Sequence, residues 1–105
     1  MVSAGRTARP TFSVDERLGQ TGSYGQITVS TSAVEVVAAN VDRQSVLIQN
    51  TGTDPVYVGF DNAVTASNGI EVAAGGTYAD ETYTGDVYVV AGTGTNDVRF
   101  QEVTQ

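Results

Sequence analysis

Short runs of apolar residues, separated by glycine, asparagine and aspartate, fill most of the chain between positions 43 and 103. Inside the runs, apolar and polar side chains alternate with a period of two, and the apolar members are mainly β-branched or aromatic. This alternation is typical of β-strands that bury one face. The pattern therefore predicts an all-β fold: a single antiparallel β-sandwich, jelly-roll-like, with about eight short strands.

The breaks between the runs predict where the strands begin and end. We expect strands at positions 26–30, 33–38, 43–49, 56–60, 70–72, 86–91 and 97–103. The segment 77–83 is expected to cross between the sheets, while Asn68-Gly69 and the loop at 92–96 are expected to close hairpins. The strand at 43–49 is the most apolar run, which predicts a central strand buried on both faces.

The first 24 residues show neither the strand period nor the helix period, and glycine and proline interrupt them. They predict an extended N-terminal arm at 1–24, with a short strand at 11–14. A β-sandwich domain is expected to follow at 25–105, with ordered structure beginning near Gln26.

Charge also separates the arm from the domain. The first 20 residues hold three arginines and two acids, a net charge of +1, whereas residues 21–105 hold two arginines and ten acids, a net charge of −8. A basic arm on an acidic body favours docking onto an acidic or apolar surface and disfavours nucleic acid. The alternative is a tail whose arginines have no role. The docking residues predicted for the arm are Arg6, Arg9, Phe12 and Arg17.

The chain contains no His, Cys, Trp or Lys. Their absence excludes Ser–His and Cys–His nucleophiles, Schiff-base lysines, and zinc held by thiolate or imidazole. Paired carboxylates remain, but a glycosidase-type site needs a cleft, for which a short chain without Trp leaves little material. The sequence therefore predicts a protein that is not an enzyme and binds no cofactor.

Calcium is the remaining metal to weigh, because it prefers carboxylate and carbonyl oxygens. Asp61, Asn62, Asp80 and Glu81 are the candidate ligands, but their spacing matches no calcium-binding loop. Solvated acidic turns are the preferred interpretation, and no metal site is predicted.

The apolar runs are at most about eight residues long, far below the roughly 20 that a membrane helix needs, and the N-terminus has no signal-peptide core. We therefore expect a soluble protein, made in the cytoplasm, with no membrane partner. Its acidic, lysine-free composition fits adaptation to high salt, and a GC-rich genome, which favours arginine codons, is the alternative explanation.

These exclusions favour a function based on shape. Tyr57, Tyr78, Tyr83 and Tyr88 are the candidate interface residues, since a tyrosine ring is apolar with one polar tip. Packing at the rim of the core is the alternative role for each of them. An exposed edge strand offers a second mode of contact, because a neighbouring subunit's arm can extend the sheet.

Eight short segments define the pattern of the domain: SVLIQNTG (45–52), PVYVG (55–59), VT (64–65), NGI (68–70), AGG (74–76), VYVVA (87–91), GTGT (92–95) and DVR (97–99). They amount to a buried strand ending in Asn-Thr-Gly, a Pro-Val-Tyr-Val-Gly strand, a glycine-closed hairpin and a final strand pair. This pattern resembles that of small virion structural proteins of tailed viruses.

Such proteins are capsid decoration, turret or fibre-base modules, so the resemblance implies a virion structural protein on the capsid exterior. It implies the major capsid protein as a partner and self-assembly as a homo-trimer or homo-pentamer. The composition would suit a virus of a haloarchaeal host. A tail or head–tail connector ring subunit, and a receptor- or carbohydrate-binding module on a virion fibre, are the alternatives.

Overall fold

The structure, a computed structural model, describes residues 19–105, which form two four-stranded antiparallel sheets. One sheet has the strand order β1-β8-β3-β6 and the other has the order β2-β7-β4-β5. The described residues include no helix, and the all-β antiparallel sandwich expected from the sequence is confirmed. The strands are β1 (Thr21–Val29), β2 (Val34–Val37), β3 (Arg43–Asn50), β4 (Val56–Gly59), β5 (Ile70–Val72), β6 (Thr77–Asp80), β7 (Val87–Ala91) and β8 (Asn96–Thr104).

Consecutive strands mostly lie in different sheets. Among the described strands, β4 and β5 alone follow one another within a sheet, joined by the loop at 60–69. The hairpin expected at Asn68-Gly69 therefore exists, but this dipeptide ends a long loop instead of forming a two-residue turn. The hairpin expected at 92–96 is wrong, because that segment carries the chain from β7 in one sheet to β8 in the other.

The core between the sheets is built almost entirely from small aliphatic side chains. The alternation in each strand turns one row of valines inward, because successive strand residues point to opposite faces. Tyr78, Tyr83 and Phe100 are half-buried at the margin of this core. The buried core residues are Val29, Val36, Val37, Val46, Ile48, Val56, Val58, Val72, Val87, Val89, Ala91 and Val98.

The expectation that strand β3 is buried on both faces is wrong. The strand is central, since it lies between β8 and β6, but it is buried on one face only. Val46 and Ile48 enter the core, whereas Leu47 is 37% exposed and Gln49 lies in solvent. The reason is that a sheet in a two-layer sandwich has one face against the core and the other in water.

The strand limits differ from the expected ones at two places. The segment 77–83 does not simply cross between sheets, because its first four residues form β6 and pair with β3. Strand β1 begins at Thr21, earlier than the expected start near Gln26, so positions 21–24 of the expected arm belong to the sheet. The remaining expected strands lie within a residue or two of the observed ones.

Candidate interaction surfaces

The four docking residues expected in the arm, Arg6, Arg9, Phe12 and Arg17, lie outside the described residues, as does the short strand expected at 11–14. Their role therefore stays a prediction. The four candidate tyrosines all lie in the described part, and the fold separates them into two groups.

Tyr57 and Tyr88 lie on the outer face of the sheet β2-β7-β4-β5. Their outward positions follow from strand alternation. In β4, Val56 and Val58 point into the core on either side of Tyr57, and in β7 Tyr88 lies between two buried valines. Both residues are half-buried. They therefore form part of the outer face of this sheet.

Carboxylates surround Tyr88 on this face. Glu35 is its cross-strand neighbour, and a hydrogen bond with Asp86, followed by burial and charge repulsion, raises the pKa of Glu35 above its ordinary value. Asp86 also accepts the Ala39 N–H at 2.8 Å. Burial, followed by repulsion from Glu35, Asp86 and Asp61, raises the pKa of Tyr88. The outer face of this sheet is therefore acidic.

Tyr78 and Tyr83 lie at the margin of the core between the two sheets, around a turn organised by Asp80. The Asp80 carboxylate accepts N–H groups of Thr82 at 2.8 Å and Tyr83 at 3.0 Å, and the Tyr78 hydroxyl at 3.0 Å. The backbone donors, first Thr82 and then Tyr83, lower the pKa of Asp80 to about 2. Burial, with the bond to Asp80, raises the pKa of Tyr78 to about 12.

An open groove lies beside these tyrosines, with a volume of about 470 Å³. Val58, Val64 and Tyr78 line its floor and wall, and the exposed rims are Phe60 and Ile70, at 48% and 60% exposure. The Phe60 ring stacks on Tyr83 with a centroid separation of 4.1 Å. The groove is largely apolar, a surface suited to another apolar side chain.

The outer face of the sheet β1-β8-β3-β6 carries an exposed aromatic residue, Tyr24, that was not among the candidates expected from the sequence. Tyr24 is 87% exposed, and the strand register places it in one row with Gln101, Leu47 and Ala79. The next row of the same face includes Arg99, which is exposed. Extending the period-two alternation back from Ile27 would have found Tyr24, but Gly22 and Gly25 made this segment look like a linker.

Arg43, unlike Arg99, is buried at one end of the sandwich, with 5% exposure. Its Nε donates to Glu102 at 2.8 Å, and its terminal nitrogens donate to the carbonyl oxygens of Gly85 at 2.8 Å, Ala38 at 2.6 Å and Tyr83 at 3.2 Å. All five guanidinium hydrogens are suited to such a role because the group is planar and permanently charged. Arg43 therefore holds loops together and is not available to a partner.

Two buried asparagines, Asn50 and Asn96, hold loop segments together at the opposite end of β3. The Asn50 side-chain N–H₂ donates to the carbonyls of Asp54 at 2.8 Å and Val72 at 3.0 Å, and its oxygen accepts the Gly52 N–H at 3.0 Å. Asn96 donates to Asn50 Oδ1 at 3.4 Å and to the Asp54 carbonyl. This network fixes the loop between β3 and β4.

The described residues, 19–105, hold no group of three or more His, Cys, Asp or Glu side chains arranged to bind a metal ion. Of the candidate calcium ligands, Asp80 already accepts four donors in its own turn, and Asp61 accepts the Ala63 N–H at 3.0 Å. In the same part of the chain, no helix has the length and apolar character needed to span a bilayer.

No protein-family model and no curated protein matches this chain. Its fold is similar to that of a chain in the solved structure of Bacillus endospore appendages, described as a family of disulfide-linked pili. The TM-score is 0.52 and the sequence identity is 21%, over 82% of this chain and 86% of that one. At this identity the likeness shows a shared fold and nothing further.

Proposed function

We propose that this chain is a non-enzymatic structural subunit that assembles into a larger particle. The observation that carries the proposal is where its exposed apolar side chains lie. Tyr24 and Leu47 lie on the solvent-exposed outer face of one sheet, and Phe60 and Ile70 lie on the rim of an open groove. Surfaces of this shape suit contact with another macromolecule, whereas small-molecule sites are usually enclosed clefts with convergent polar groups.

In its finer form, the proposal is a capsid decoration or turret subunit on the exterior of a tailed-virus particle. The arm would dock on the major capsid protein, and the sandwich would pack against copies of itself about a symmetry axis. The strand-and-turn resemblance to small virion proteins supports this form. Each contact would be weak, but its sum over many copies would strengthen the shell.

A subunit of a filamentous appendage is the second candidate, and the shared fold with the endospore pilus chain favours it. Those pili are disulfide-linked, whereas the 105 residues of this chain contain no cysteine. A filament of this chain would therefore depend on non-covalent contacts between different faces of neighbouring subunits, as heterologous assembly requires.

Immunogold electron microscopy of whole particles and cells from the natural source tests the proposal. We expect label distributed over capsid shells. Label along filaments would replace the decoration role by the appendage role, label at the neck or tail would indicate a connector ring, and label at fibre tips would indicate a receptor-binding module. Absence of label from every assembled structure would overturn the structural role.

The docking role of the arm has a separate test. A full-length variant with Arg6, Arg9, Phe12 and Arg17 all changed to Ala is mixed with particles stripped of the protein and sedimented. We expect at least a roughly tenfold loss of particle binding with an unchanged thermal midpoint, because the arm supplies the cations and the apolar anchor. Arg99→Ala is the control for losing a cation from the body. Full occupancy of the arm variant would contradict the docking role.

A further inference from the structure

The two sheets leave four edge strands in the described part of the molecule, namely β1, β6, β2 and β5. An edge strand presents unpaired N–H and C=O groups, which are a template for pairing with another chain. Soluble proteins usually block such edges by keeping them short, by placing charges or proline on them, or by a β-bulge. The four edges of this protein differ sharply in these features.

Three of the edges carry blocking features. Strands β2 and β6 have four residues each, and β5 has three. Each contains one carboxylate, Glu35 in β2, Glu71 in β5 and Asp80 in β6. Strand β2 also has a register shift between Glu35 and Val37, which interrupts its pairing with β7. These edges are poor templates for a further strand.

Strand β1 carries none of these features. It has nine residues, TGSYGQITV, without a charge or a proline. Its register with β8 is unbroken from Thr21, opposite Thr104, to Val29, opposite Asn96. In an antiparallel pair, alternate residues turn their N–H and C=O groups away from the partner strand. One long, uncharged row of hydrogen-bonding groups, in unbroken register on its other side, is therefore left without a strand partner among residues 19–105.

We propose that β1 is an assembly edge that pairs antiparallel with β1 of a second copy of this chain. A two-fold axis through the contact would join two four-stranded sheets into one continuous eight-stranded sheet. This contact is one way in which the structural subunit proposed above would bind a second copy of itself. It rests on the proposed function only for the use of the dimer inside a particle.

A second β1 is the occupant that the described chain matches best. The other edges are less than half as long as β1, so they would leave most of its groups unpaired. They also carry carboxylates, whereas a second β1 is equal in length and uncharged. Tyr24 lies on the outer face of the same strand, so two copies of this exposed ring would be brought to one side of the joined sheet.

The charge of the chain predicts how this contact responds to salt. Each copy has a net charge of −7, so two copies repel one another at long range, while the contact itself is made of neutral groups. Salt screens the repulsion and leaves the strand pairing largely unaffected. Association should therefore strengthen as salt rises from about 0.05 M to 1 M, the reverse of a contact made by exposed ion pairs.

The test measures self-association of the full-length chain by sedimentation over about 10 µM to 1 mM, the range expected for one modest contact. The variant is Gly22→Glu with Tyr24→Glu. A Cβ at Gly22 would meet no atom of residues 19–105 within 4 Å, so the described domain accepts the change. Like charges on paired strands are destabilising, and we expect at least a roughly tenfold weaker dimer.

Two control variants separate edge pairing from other effects. Gly22→Thr with Tyr24→Thr keeps the edge neutral and should dimerise within about threefold of the wild-type affinity. Ala66→Glu with Ala74→Glu adds the same charge at exposed loop positions and should also remain dimeric. Hydrogen exchange of the β1 amides should slow with protein concentration in the wild-type chain and not in the glutamate edge variant.

Three results would overturn the proposal: a wild-type chain that stays monomeric at 1 M salt and about 1 mM protein, an edge glutamate variant that dimerises as well as the loop variant, or β1 amides protected equally at all concentrations over which the chain sediments as a monomer. The last result would mean that the chain's own N-terminal segment covers β1. None of these results bears on immunogold labelling of assembled structures, so this contact and the proposed function fail independently.

Discussion

The Arg43 guanidinium donates its Nε hydrogen to Glu102 Oε2 at 2.8 Å, and both side chains are largely out of solvent. The same guanidinium donates to three backbone carbonyls in the segments that follow β2 and β6. One side chain on β3 therefore connects β8 to two loops at the same end of the sandwich. A charge in this position is stabilised only while all of its partners are present.

Replacing Arg43 by Met should destabilise the domain by about 3–5 kcal/mol, because the change leaves the Glu102 carboxylate and three carbonyls without their donor. Urea denaturation of the protein, held at one dilute protein concentration, measures the change in the free energy of unfolding. Glu102→Gln keeps an acceptor oxygen and should cost less, about 1–2 kcal/mol. Arg99→Met, at an exposed position, should stay within about 0.5 kcal/mol of wild type. Equal losses for Arg43→Met and Arg99→Met would contradict a role for the buried cluster.

Replacing Asn50 by Ala should cost about 2–4 kcal/mol, because it leaves the Val72 carbonyl and the Gly52 N–H without their side-chain partner in a buried site and removes one of the two donors to the Asp54 carbonyl. The same denaturation experiment measures it. Asn62→Ala, in an exposed loop, is the matched control and should be nearly neutral. A near-neutral Asn50→Ala would mean that water replaces the lost partners.

The sequence predicted the fold best where alternation and burial agree. In β4, Val56 and Val58 are fully buried and Tyr57 lies opposite, as a period of two requires. Two of the four edge strands, β1 and β6, were harder to predict, because little of each is buried. Strand β6 reads TYAD and buries no residue fully, so its pairing with β3 left a weak signal. In β1, two glycines concealed the alternation that ends at Val29.

The polar clusters were not predictable from the sequence. An arginine in a strand is ordinarily exposed, and the partners of Arg43 come from positions 38, 83, 85 and 102, which only the tertiary fold brings together. The sequence indicated which tyrosines were candidates but not that they belong to different surfaces. Tyr57 and Tyr88 lie on one sheet, while Tyr78 belongs to the other. Which face a strand turns outward depends on pairing over long distances along the chain.

Replacing Gly22 by Ala and replacing Gly25 by Ala in β1 should change the stability of the fold in opposite directions. A Cβ at Gly25 would approach the Phe100 ring to 2.9 Å, so Gly25→Ala should cost about 1–3 kcal/mol by overpacking. Within the described part of the chain, a Cβ at Gly22 would meet nothing within 4 Å, so Gly22→Ala should stabilise the fold by about 0.4–1 kcal/mol by restricting the unfolded chain. Thermal unfolding of dilute protein measures both. Stabilisation by both substitutions would show that Phe100 does not lie over Gly25.

The Asp80 turn should make stability depend on acid pH. The N–H groups of Thr82 and Tyr83 lower the pKa of Asp80 from its ordinary value of 3.8 to about 2. A group whose pKa is lowered by folding contributes stability that is fully present above the unfolded value and is lost as pH falls through the folded value. The contribution of Asp80 should therefore be complete above about pH 5 and decline between about pH 4 and pH 2.

Thermal midpoints measured from pH 7 to pH 2 test this expectation with the Asp80→Asn variant. At pH 7 the variant should unfold at a lower temperature than wild type, since the amide accepts the same donors more weakly. The gap should narrow as pH falls from 4 to 2, because wild type then loses the charged acceptor that the variant never had. Glu81→Gln, at the exposed neighbouring position, controls for removing a carboxylate from this turn. A gap that stays constant down to pH 2 would show that the Asp80 charge does not stabilise the turn.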